Sequence, residues 1–233
     1  ETLGAEFYEG EAESFEKTAE GWKVIFKDGS VKEGKTVIYT AGTSYRHLDV
    51  AGGEKQRISY CAVCDGFFYK DKVVAVVGGG DTALGDALYL SKLAKTVYLI
   101  HRRDEFRANK ALQKKVAETD NIVPVMSAVI KEVTGGEKCR GRLTFIRKRT
   151  REKNIAVDGV FCAIGSVPNT QALEGVCELD ESGYVKAGED GITTAKGLFV
   201  AGDVRTTPLR QVITAAADGA NALSSAEKYI MEL

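Results

Sequence analysis

One segment constrains the fold of this chain more than any other: the apolar residues 73–77, followed by the glycine-rich residues 78–83. The apolar run has the length of a buried strand. After it, small apolar side chains recur three or four positions apart from 83 to 94, which predicts a helix, and residues 96–100 predict a second strand. Because a strand, a glycine turn, a helix and a strand form a βαβ unit, the sequence predicts an α/β fold with a doubly wound parallel sheet.

The glycine turn has the spacing of a dinucleotide-binding site, Gly78-x-Gly80-x-x-Ala83. Gly78 permits the tight turn, Gly80 lets the backbone approach a pyrophosphate, and Ala83 allows the helix to pack closely on the strand. The helix begins with Asp81 and Thr82, and its N-terminus faces the phosphate charge. We expect these five residues to contact a nucleotide. The alternative is a glycine-rich turn that binds nothing.

Basic residues follow the second predicted strand, where such folds select their nucleotide. The strand ends in His101, Arg102 and Arg103, and Arg107 follows one turn later on a helix expected over residues 104–118. Since guanidinium groups bind phosphate through paired, charge-assisted hydrogen bonds, the pattern favours the 2′-phosphate of NADP over the bare ribose of NAD. The alternative is a solvated basic helix start, which is disfavoured because cations oppose the helix dipole there.

Two cysteines, Cys61 and Cys64, lie shortly before the nucleotide motif, with Cys64 fourteen positions ahead of Gly78, and Asp65 follows directly. Their spacing lets the sulfur atoms close a small ring at the first turn of a helix, where a thiolate is stabilised. Asp65 is placed to move protons as thiolates form. A disulfide beside a nucleotide site suits electron transfer from a pyridine nucleotide to a thiol.

Zinc is the main alternative for these cysteines. A structural zinc site needs a second ligand pair, and the remaining cysteine and histidine residues offer no paired spacing, so we expect no metal. Cys162 lies inside an apolar strand and is expected in the core. Cys139 and Cys177 have no assigned role.

A second candidate binding region lies near the end of the chain. Gly202 and Asp203 follow a predicted buried strand, so the backbone can approach a ligand there while Asp203 bonds a hydroxyl group. A helix expected to begin near Arg210 points its N-terminus at the same place, with Val212 and Leu223 on its apolar face. An Asp after a strand is, alternatively, often only a helix cap.

Composition excludes several classes of function. The 233 residues carry a net charge of −1, so no global field recruits nucleic acid or acidic lipid. The basic run 138–153 contains one isolated aromatic residue, Phe145, and no interleaved series of them, which favours a solvated hairpin over a nucleic-acid surface. No apolar run is long enough to cross a membrane, and no secretion signal is visible. We therefore expect a cytoplasmic protein, in a reducing compartment.

Taken together, these motifs occur in one family, and the chain resembles the bacterial-type, low-molecular-weight thioredoxin reductases. The matching segments are spread in family order over essentially the whole chain. They are Thr40-Ala41-Gly42, residues 59–66, residues 78–83, His101-Arg102-Arg103 with Arg107 and Ala108, residues 197–203, and Arg210-Gln211 with Ala215, Ala216 and Gly219.

The resemblance implies two Rossmann-like domains. The FAD domain, residues 1–43 and 159–233, is discontinuous and is interrupted by an NADPH domain, residues 44–158, that carries the dithiol. The family's first FAD-binding βαβ unit precedes every segment seen here, so the resemblance implies a chain without that unit.

The resemblance also implies a cofactor set, a partner and residue roles. The cofactors are FAD and NADPH, the partner is thioredoxin or a thioredoxin-like protein disulfide, and the assembly is a homodimer. Cys64 would lie against the flavin, Cys61 would attack the partner disulfide, and Asp65 would handle the proton. The FAD contacts implied are Ala41, Gly42, Gly202, Asp203, Arg210, Gln211 and Val212.

Two other functions are compatible with the motifs. One is the flavoprotein component of alkyl hydroperoxide reductase, whose dithiol typically has Pro-His between its cysteines, whereas this chain has Ala62 and Val63. The other is a non-catalytic NADPH-binding fragment.

Overall fold

The computed structural model describes residues 4–51, 58–135, 141–147 and 152–233. Cys139, residues 52–57, and residues 138–140 and 148–151 of the basic run lie outside the described residues. The strands, in chain order, are β1 (Ala12–Lys17), β2 (Trp22–Phe26), β3 (Val31–Gly34), β4 (Val37–Tyr39), β5 (Thr43–Tyr45), β6 (Ile58–Ser59), β7 (Val73–Val77), β8 (Thr96–Ile100), β9 (Ile122–Val125), β10 (Ala128–Thr134), β11 (Gly141–Arg147), β12 (Lys153–Val157), β13 (Gly159–Cys162), β14 (Ser166–Pro168) and β15 (Leu198–Val200). The helices are α1 (Ala62–Asp65), α2 (Asp81–Leu90), α3 (Lys110–Ala117) and α4 (Val212–Met231), with short 3₁₀ turns at Gly66–Tyr69, Gln171–Leu173 and Gly202–Val204.

The chain divides into two compact units. The first comprises Glu1–Ser44 and Ser166–Leu233, and the second comprises Tyr45–Gly165. The second boundary falls after β13 rather than before it, because β13 pairs in parallel with β7 and so belongs to the main sheet of the second unit. Which cofactor each unit binds stays a prediction.

A five-stranded parallel sheet in the order β6-β13-β7-β8-β9 forms the centre of the second unit. Alternate residues of β7 face opposite layers, as the two-residue period of a strand requires. Val74 and Val76 pack in a core with helix α2, whereas Ala75 and Val77 pack with the antiparallel β10-β11-β12 sheet. Both faces of the sheet are therefore covered, which explains the uninterrupted apolar sequence of β7 and confirms the predicted α/β fold.

Helix α3 begins later than the sequence predicts. The expectation of a helix from residue 104 is wrong, because the side chain of Asn109 accepts a hydrogen bond from the Leu112 N–H at 2.9 Å and caps a helix that starts at Lys110. Residues 102–108 consequently form a loop, so Arg102, Arg103 and Arg107 do not lie on a helix.

In the first unit, the antiparallel β1-β2-β3 sheet packs against one side of β15, and α4 packs against the other. Strand β15 pairs in parallel with β4, while β5 pairs with β14. The buried positions of α4 are Asp218, Ala222 and Ala226. The face predicted to be apolar and packed is instead exposed, with Val212 at 87% and Leu223 at 62% exposure.

Asp218, on the buried side of α4, forms an ion pair with Arg205. The guanidinium donates from Nη2 to Oδ1 at 2.5 Å and from Nε to Oδ2 at 2.7 Å, and both side chains are less than 10% exposed. The Gly202 N–H also donates to Oδ2 at 3.1 Å. Hydrogen bonds from Arg205 hold the pKa of Asp218 below its usual range, so this carboxyl stays ionised in the fold.

Among the described residues, no helix combines the length and the apolar character needed to cross a bilayer.

Replacing Asp218 with Asn should destabilise the protein by about 3–5 kcal/mol, because it leaves the Arg205 guanidinium buried without a counter-charge. The measurement is urea unfolding at neutral pH. The matched control is Glu178→Gln, which removes one charge from the exposed Lys186–Glu178 pair and should cost less than about 1 kcal/mol. A loss for Asp218→Asn no larger than that of the control contradicts the prediction.

The same pair predicts a pH dependence. The folded pKa of Asp218 is depressed relative to the unfolded chain, so its contribution is complete above the unfolded value of about 3.9 and is lost as the pH falls further through the folded value. The stability difference between the parent chain and Asp218→Asn should therefore shrink below about pH 4.

Candidate active site

Cys61 and Cys64 are joined by a disulfide, with their Cα atoms 5.3 Å apart. Cys61 is the N-cap of α1, and its sulfur accepts a hydrogen bond from the Cys64 N–H at 3.1 Å. The same N–H would stabilise a thiolate on Cys61 after reduction. Cys61 is partly buried and Cys64 is exposed. The predicted ring and its place at the start of a helix are thus both present.

Ser59, which the sequence analysis did not single out, links the dithiol to the neighbouring carboxylate. Its hydroxyl donates to Asp65 Oδ2 at 2.7 Å and accepts from the Cys61 N–H at 3.2 Å. Ser59 is 8% exposed, and its strand pairs with β13. Because its partners lie at both ends of α1, this one hydroxyl fixes Asp65 relative to Cys61.

Helix α1 is held against α2 by small residues. Ala62 is 2% exposed and belongs to the same core cluster as Ala83 and Ala87 of α2. At Gly66, a Cβ atom would lie 3.0 Å from both Tyr89 and Leu90. These close approaches fix the four-residue dithiol helix on the helix that begins at the nucleotide motif.

The three glycines between β7 and α2 differ in how much space surrounds them. Gly78 has φ +152°, and a Cβ there would collide with the Ala163 carbonyl oxygen and lie 2.7 Å from the Ala83 Cβ. At Gly79 a Cβ would overlap the His101 ring, whereas at Gly80 it would meet nothing within 4 Å. The first two glycines are required by packing within the protein, and the third leaves open space in front of the helix N-terminus.

The arginine loop is attached to this glycine turn through the backbone. The N–H groups of Arg107 and Ala108 donate to the Gly79 carbonyl oxygen at 2.8 and 3.2 Å. The Asn109 N–H donates to Asp81 Oδ1 at 2.7 Å. Arg102, Arg103 and Arg107 are themselves exposed. The loop therefore presents three exposed arginines and is attached, through the backbone of Arg107, beside the start of α2.

His101 lies beneath these arginines and is 7% exposed. Burial lowers the pKa of its imidazole, and the positive charges of the neighbouring arginines lower it further, although a hydrogen bond with the Glu105 backbone opposes the shift. Its Nε2 atom has no hydrogen-bond partner among the described residues. The ring is thus neutral at pH 7 and has one free polar atom.

A polar cluster of the first unit surrounds the start of α4. The Arg210 guanidinium stacks over the Tyr184 ring at 4.1 Å and donates from Nε to the Asp203 carbonyl oxygen at 3.3 Å. Burial raises the pKa of Asp203, and the positive charge of Arg210 opposes that shift. Gly202 has φ +78°, a conformation that favours glycine, and it turns the chain out of β15.

The remaining predicted contacts of the first unit also lie at chain turns. Gln211 caps α4 in a reciprocal arrangement with Thr214, and Val212 projects into solvent. The carbonyl oxygens of Ala41 and Gly42 each accept a hydrogen bond from Asn169, at 2.8 and 3.0 Å.

Apolar side chains are exposed around the disulfide. Val63 is 60% exposed, and Phe67 and Phe68, which follow α1, are 71% and 70% exposed. Two adjacent exposed phenylalanines are uncommon on a surface that does not bind another molecule.

Cys162 lies in the core, as predicted. It is 5% exposed, and its burial raises the pKa of the thiol to about 11.

Among the described residues, no group of three or more His, Cys, Asp or Glu side chains is arranged to hold a metal ion.

Sequence comparison assigns the chain to a family. The model of the pyridine nucleotide-disulphide oxidoreductases matches residues 4–219. A thioredoxin reductase of Streptomyces clavuligerus is 37% identical over 100% of this chain and 74% of its own length. One of Listeria monocytogenes is 36% identical over 99% of this chain and 73% of its own.

Structure comparison agrees. The crystal structure of thioredoxin reductase from Streptococcus pyogenes superposes with a TM-score of 0.89 at 35% identity, covering 96% of this chain and 74% of that one. The predicted pair of Rossmann-like domains is therefore confirmed at the level of the fold, together with the resemblance drawn from the motifs. The chain belongs to the pyridine nucleotide-disulphide oxidoreductases, among the thioredoxin reductases.

Proposed function

We propose that this chain carries the NADPH-binding and dithiol machinery of a thioredoxin-disulfide reductase, in which Cys61 and Cys64 pass electrons to thioredoxin. One observation carries the proposal: the disulfide helix α1 packs directly on α2, the helix that begins at the glycine turn. A redox-active disulfide and a nucleotide cradle thus share one rigid core within the second unit.

The glycine turn and the arginine loop suit NADPH. A Cβ atom at Gly80 would meet nothing within 4 Å, which leaves space for a pyrophosphate to approach the N-terminus of α2, and no side chain of the described residues caps that helix. Arg102 and Arg107 are exposed beside it and would bind the 2′-phosphate. His101 is buried and neutral behind the loop, so it adds no positive charge to this face.

The polar cluster of the first unit suits part of a flavin site. Gly202 brings the backbone to the surface of the turn, while Asp203 and Arg210 supply an acceptor and a cation within one hydrogen-bonded group. The chemistry that bound FAD supplies is the transfer of two electrons from a reduced nicotinamide to a disulfide. Ala41, Gly42, Gln211 and Val212 complete the contacts that the family resemblance implies.

The dithiol performs the exchange with the partner. After reduction, the Cys61 thiolate attacks one sulfur of the partner disulfide, a mixed disulfide forms, and the second partner sulfur leaves as a thiolate. Cys64 then attacks the mixed bond, so the Cys61–Cys64 disulfide re-forms and the partner leaves with two electrons. Asp65, held by Ser59, would take the proton from the Cys64 thiol as it attacks and pass it to the departing partner thiolate.

Two observations bear on the order of the cysteines. The Cys64 N–H hydrogen bond favours a thiolate on Cys61, whereas exposure favours Cys64 as the more accessible sulfur. We assign the attack to Cys61 because stabilisation of the thiolate controls reactivity, and because the family resemblance implies the same order. The exposed Phe67 and Phe68 provide the adjoining apolar surface for a protein partner. The homodimer we propose rests on the resemblance alone.

The test of function is NADPH oxidation by the purified chain supplied with FAD and oxidised thioredoxin. We expect consumption of NADPH that depends on thioredoxin and is abolished in a Cys61→Ser/Cys64→Ser double variant. Thioredoxin-independent oxidation that survives the double variant contradicts the proposal. The visible spectrum of the chain distinguishes an enzyme from an NADPH-binding fragment, because only the enzyme binds flavin and shows its absorption band.

Replacing Arg102 and Arg107 with Ala should weaken NADPH binding by roughly 10- to 100-fold and leave NADH binding nearly unchanged, because only NADPH carries the 2′-phosphate. Calorimetric titration of both nucleotides measures the two affinities. Lys114→Ala is the matched control, since it removes an exposed cation from α3 that is paired with Glu118. Equal losses for NADPH and NADH would rule out phosphate selection by the arginines.

Single-cysteine variants should separate the two thiols. Cys64→Ser, which retains Cys61, should form a stoichiometric mixed disulfide with a thioredoxin whose one remaining active-site cysteine is activated as an aryl disulfide. Cys61→Ser should form it much more slowly. Non-reducing electrophoresis measures the product, and the double variant gives the background from the other cysteines. Faster capture by Cys64 would reverse the assigned roles.

The proton role of Asp65 gives a further expectation. Asp65→Asn should leave the disulfide intact but slow thioredoxin reduction by about 10²–10⁴-fold, because an amide neither donates nor accepts a proton at neutral pH. Rapid-mixing kinetics of the prereduced chain measure this step without NADPH. An unchanged rate would show that another group moves the proton.

A further inference from the structure

A surface cleft of about 500 Å³ adjoins the dithiol helix in the second unit. Strand β6 forms one wall, and the residues that follow α1 form the other. Asp65 lies at the edge of the cleft and is the residue directly after Cys64, so a partner that reaches the sulfur atoms also reaches the cleft. The lining residues are Ile58, Ser59, Asp65, Phe68, Tyr69 and Lys72.

The two charged side chains of the cleft differ in their availability. The Asp65 carboxylate already accepts the Ser59 hydroxyl at 2.7 Å. The Lys72 ammonium donates to the Phe68 carbonyl oxygen at 2.9 Å and lies 5.7 Å from the Tyr69 ring centre. An ammonium has three donors, and within the described ranges no carboxylate lies within 4 Å of Lys72. Lys72 is therefore the cation of this cleft that is available to a second molecule.

The position of Lys72 is fixed by its backbone. Its N–H donates to the Tyr69 carbonyl oxygen at 3.1 Å, and its own carbonyl accepts from the Lys95 N–H at 2.7 Å. Tyr69 is 8% exposed and packs edge-on against Phe161. Since the base of the side chain is anchored in the core, the ammonium is held near the cleft instead of sampling a wide volume of solvent.

These features suit an occupant that has an apolar side chain and a neighbouring carboxylate. Ile58 and the exposed Phe68 supply apolar contact, and Lys72 supplies the complementary charge. A protein that presents its disulfide to Cys61 must lie over this surface. We propose that Lys72 is a specificity-determining residue, which pairs with a carboxylate of the disulfide-bearing partner while an apolar side chain of that partner fills the cleft. The inference rests on the proposed function.

The experiment follows reaction of the chemically reduced chain with oxidised bacterial thioredoxin by stopped flow, which requires neither NADPH nor FAD. Lys72→Gln should lower the second-order rate constant by about two- to fivefold, and Lys72→Glu by about five- to twentyfold. Lys72→Arg, which retains the charge, should keep at least about half of the rate. The rate of Lys72→Gln should also depend less on ionic strength than that of the parent chain.

Lys70→Gln is the matched control. Lys70 is an exposed lysine two residues away that does not line the cleft, so its replacement should change the rate by less than about 1.5-fold. An equal loss of rate for Lys70→Gln would mean that the rate depends on the total charge of this surface and not on a contact at Lys72, which would overturn the proposal. An unchanged rate for Lys72→Gln would also overturn it.

A neutral small disulfide, hydroxyethyl disulfide, separates recognition from dithiol reactivity. It should react equally with the parent chain and with Lys72→Gln; a parallel loss would mean that Lys72 acts on the thiolate, against the proposal. The proposed function has its own readout, because the parent chain must react faster with thioredoxin than with hydroxyethyl disulfide. If that preference is absent, the proposed function fails; if it is present and insensitive to Lys72, only the present inference fails.

Discussion

The carbonyl oxygen of Gly79 joins the two loops that form the proposed nucleotide-binding face. It accepts the backbone N–H groups of Arg107 and Ala108, so the turn after β7 and the loop after β8 become one structure. This is possible only because Gly79 has no Cβ, which would overlap the His101 ring. The two strands are neighbours in a parallel sheet, and their carboxyl ends necessarily meet at this edge. The contact therefore fixes the backbone of the arginine loop relative to the N-terminus of α2.

The electrostatics of this face follow from the same geometry. Burial keeps the pKa of His101 low, so the imidazole remains neutral, and the positive charge resides on arginines that point into solvent. Exposed charges carry almost no desolvation cost in the free protein. Their attraction to a phosphate would strengthen when water between the guanidinium and the phosphate is displaced. The buried Arg205–Asp218 pair of the first unit is the opposite case. There the charges satisfy each other and the Gly202 N–H, which stabilises a turn.

The sequence predicted those features that depend on neighbouring residues. Val73–Val77 and the glycine spacing define a βαβ unit locally, and Cys61 with Cys64 defines a ring that four residues can close. Features that depend on distant partners were not predicted. The late start of α3 results from the Asn109 cap and from the contacts with Gly79.

The exposed face of α4 could not be distinguished from its buried face by apolar periodicity, because alanines occur on both. Asp218 gave no usable signal, because an acidic residue on a helix normally lies on the exposed side, and its burial here depends on the pairing with Arg205. Ser59 carried no signal, because its importance comes from reaching both ends of α1.

The ring closed by Cys61 and Cys64 contains only four residues. Opening so short a loop releases little chain entropy, about 2 kcal/mol in the loop-closure model, and that freedom is confined to α1 itself. Ala62 and Tyr69 are buried in a core cluster that includes neither cysteine, and Gly66 is buried beside them. In the proposed function, opening and closing this bond would change the covalent structure of α1 while the packing contacts of the core stay intact.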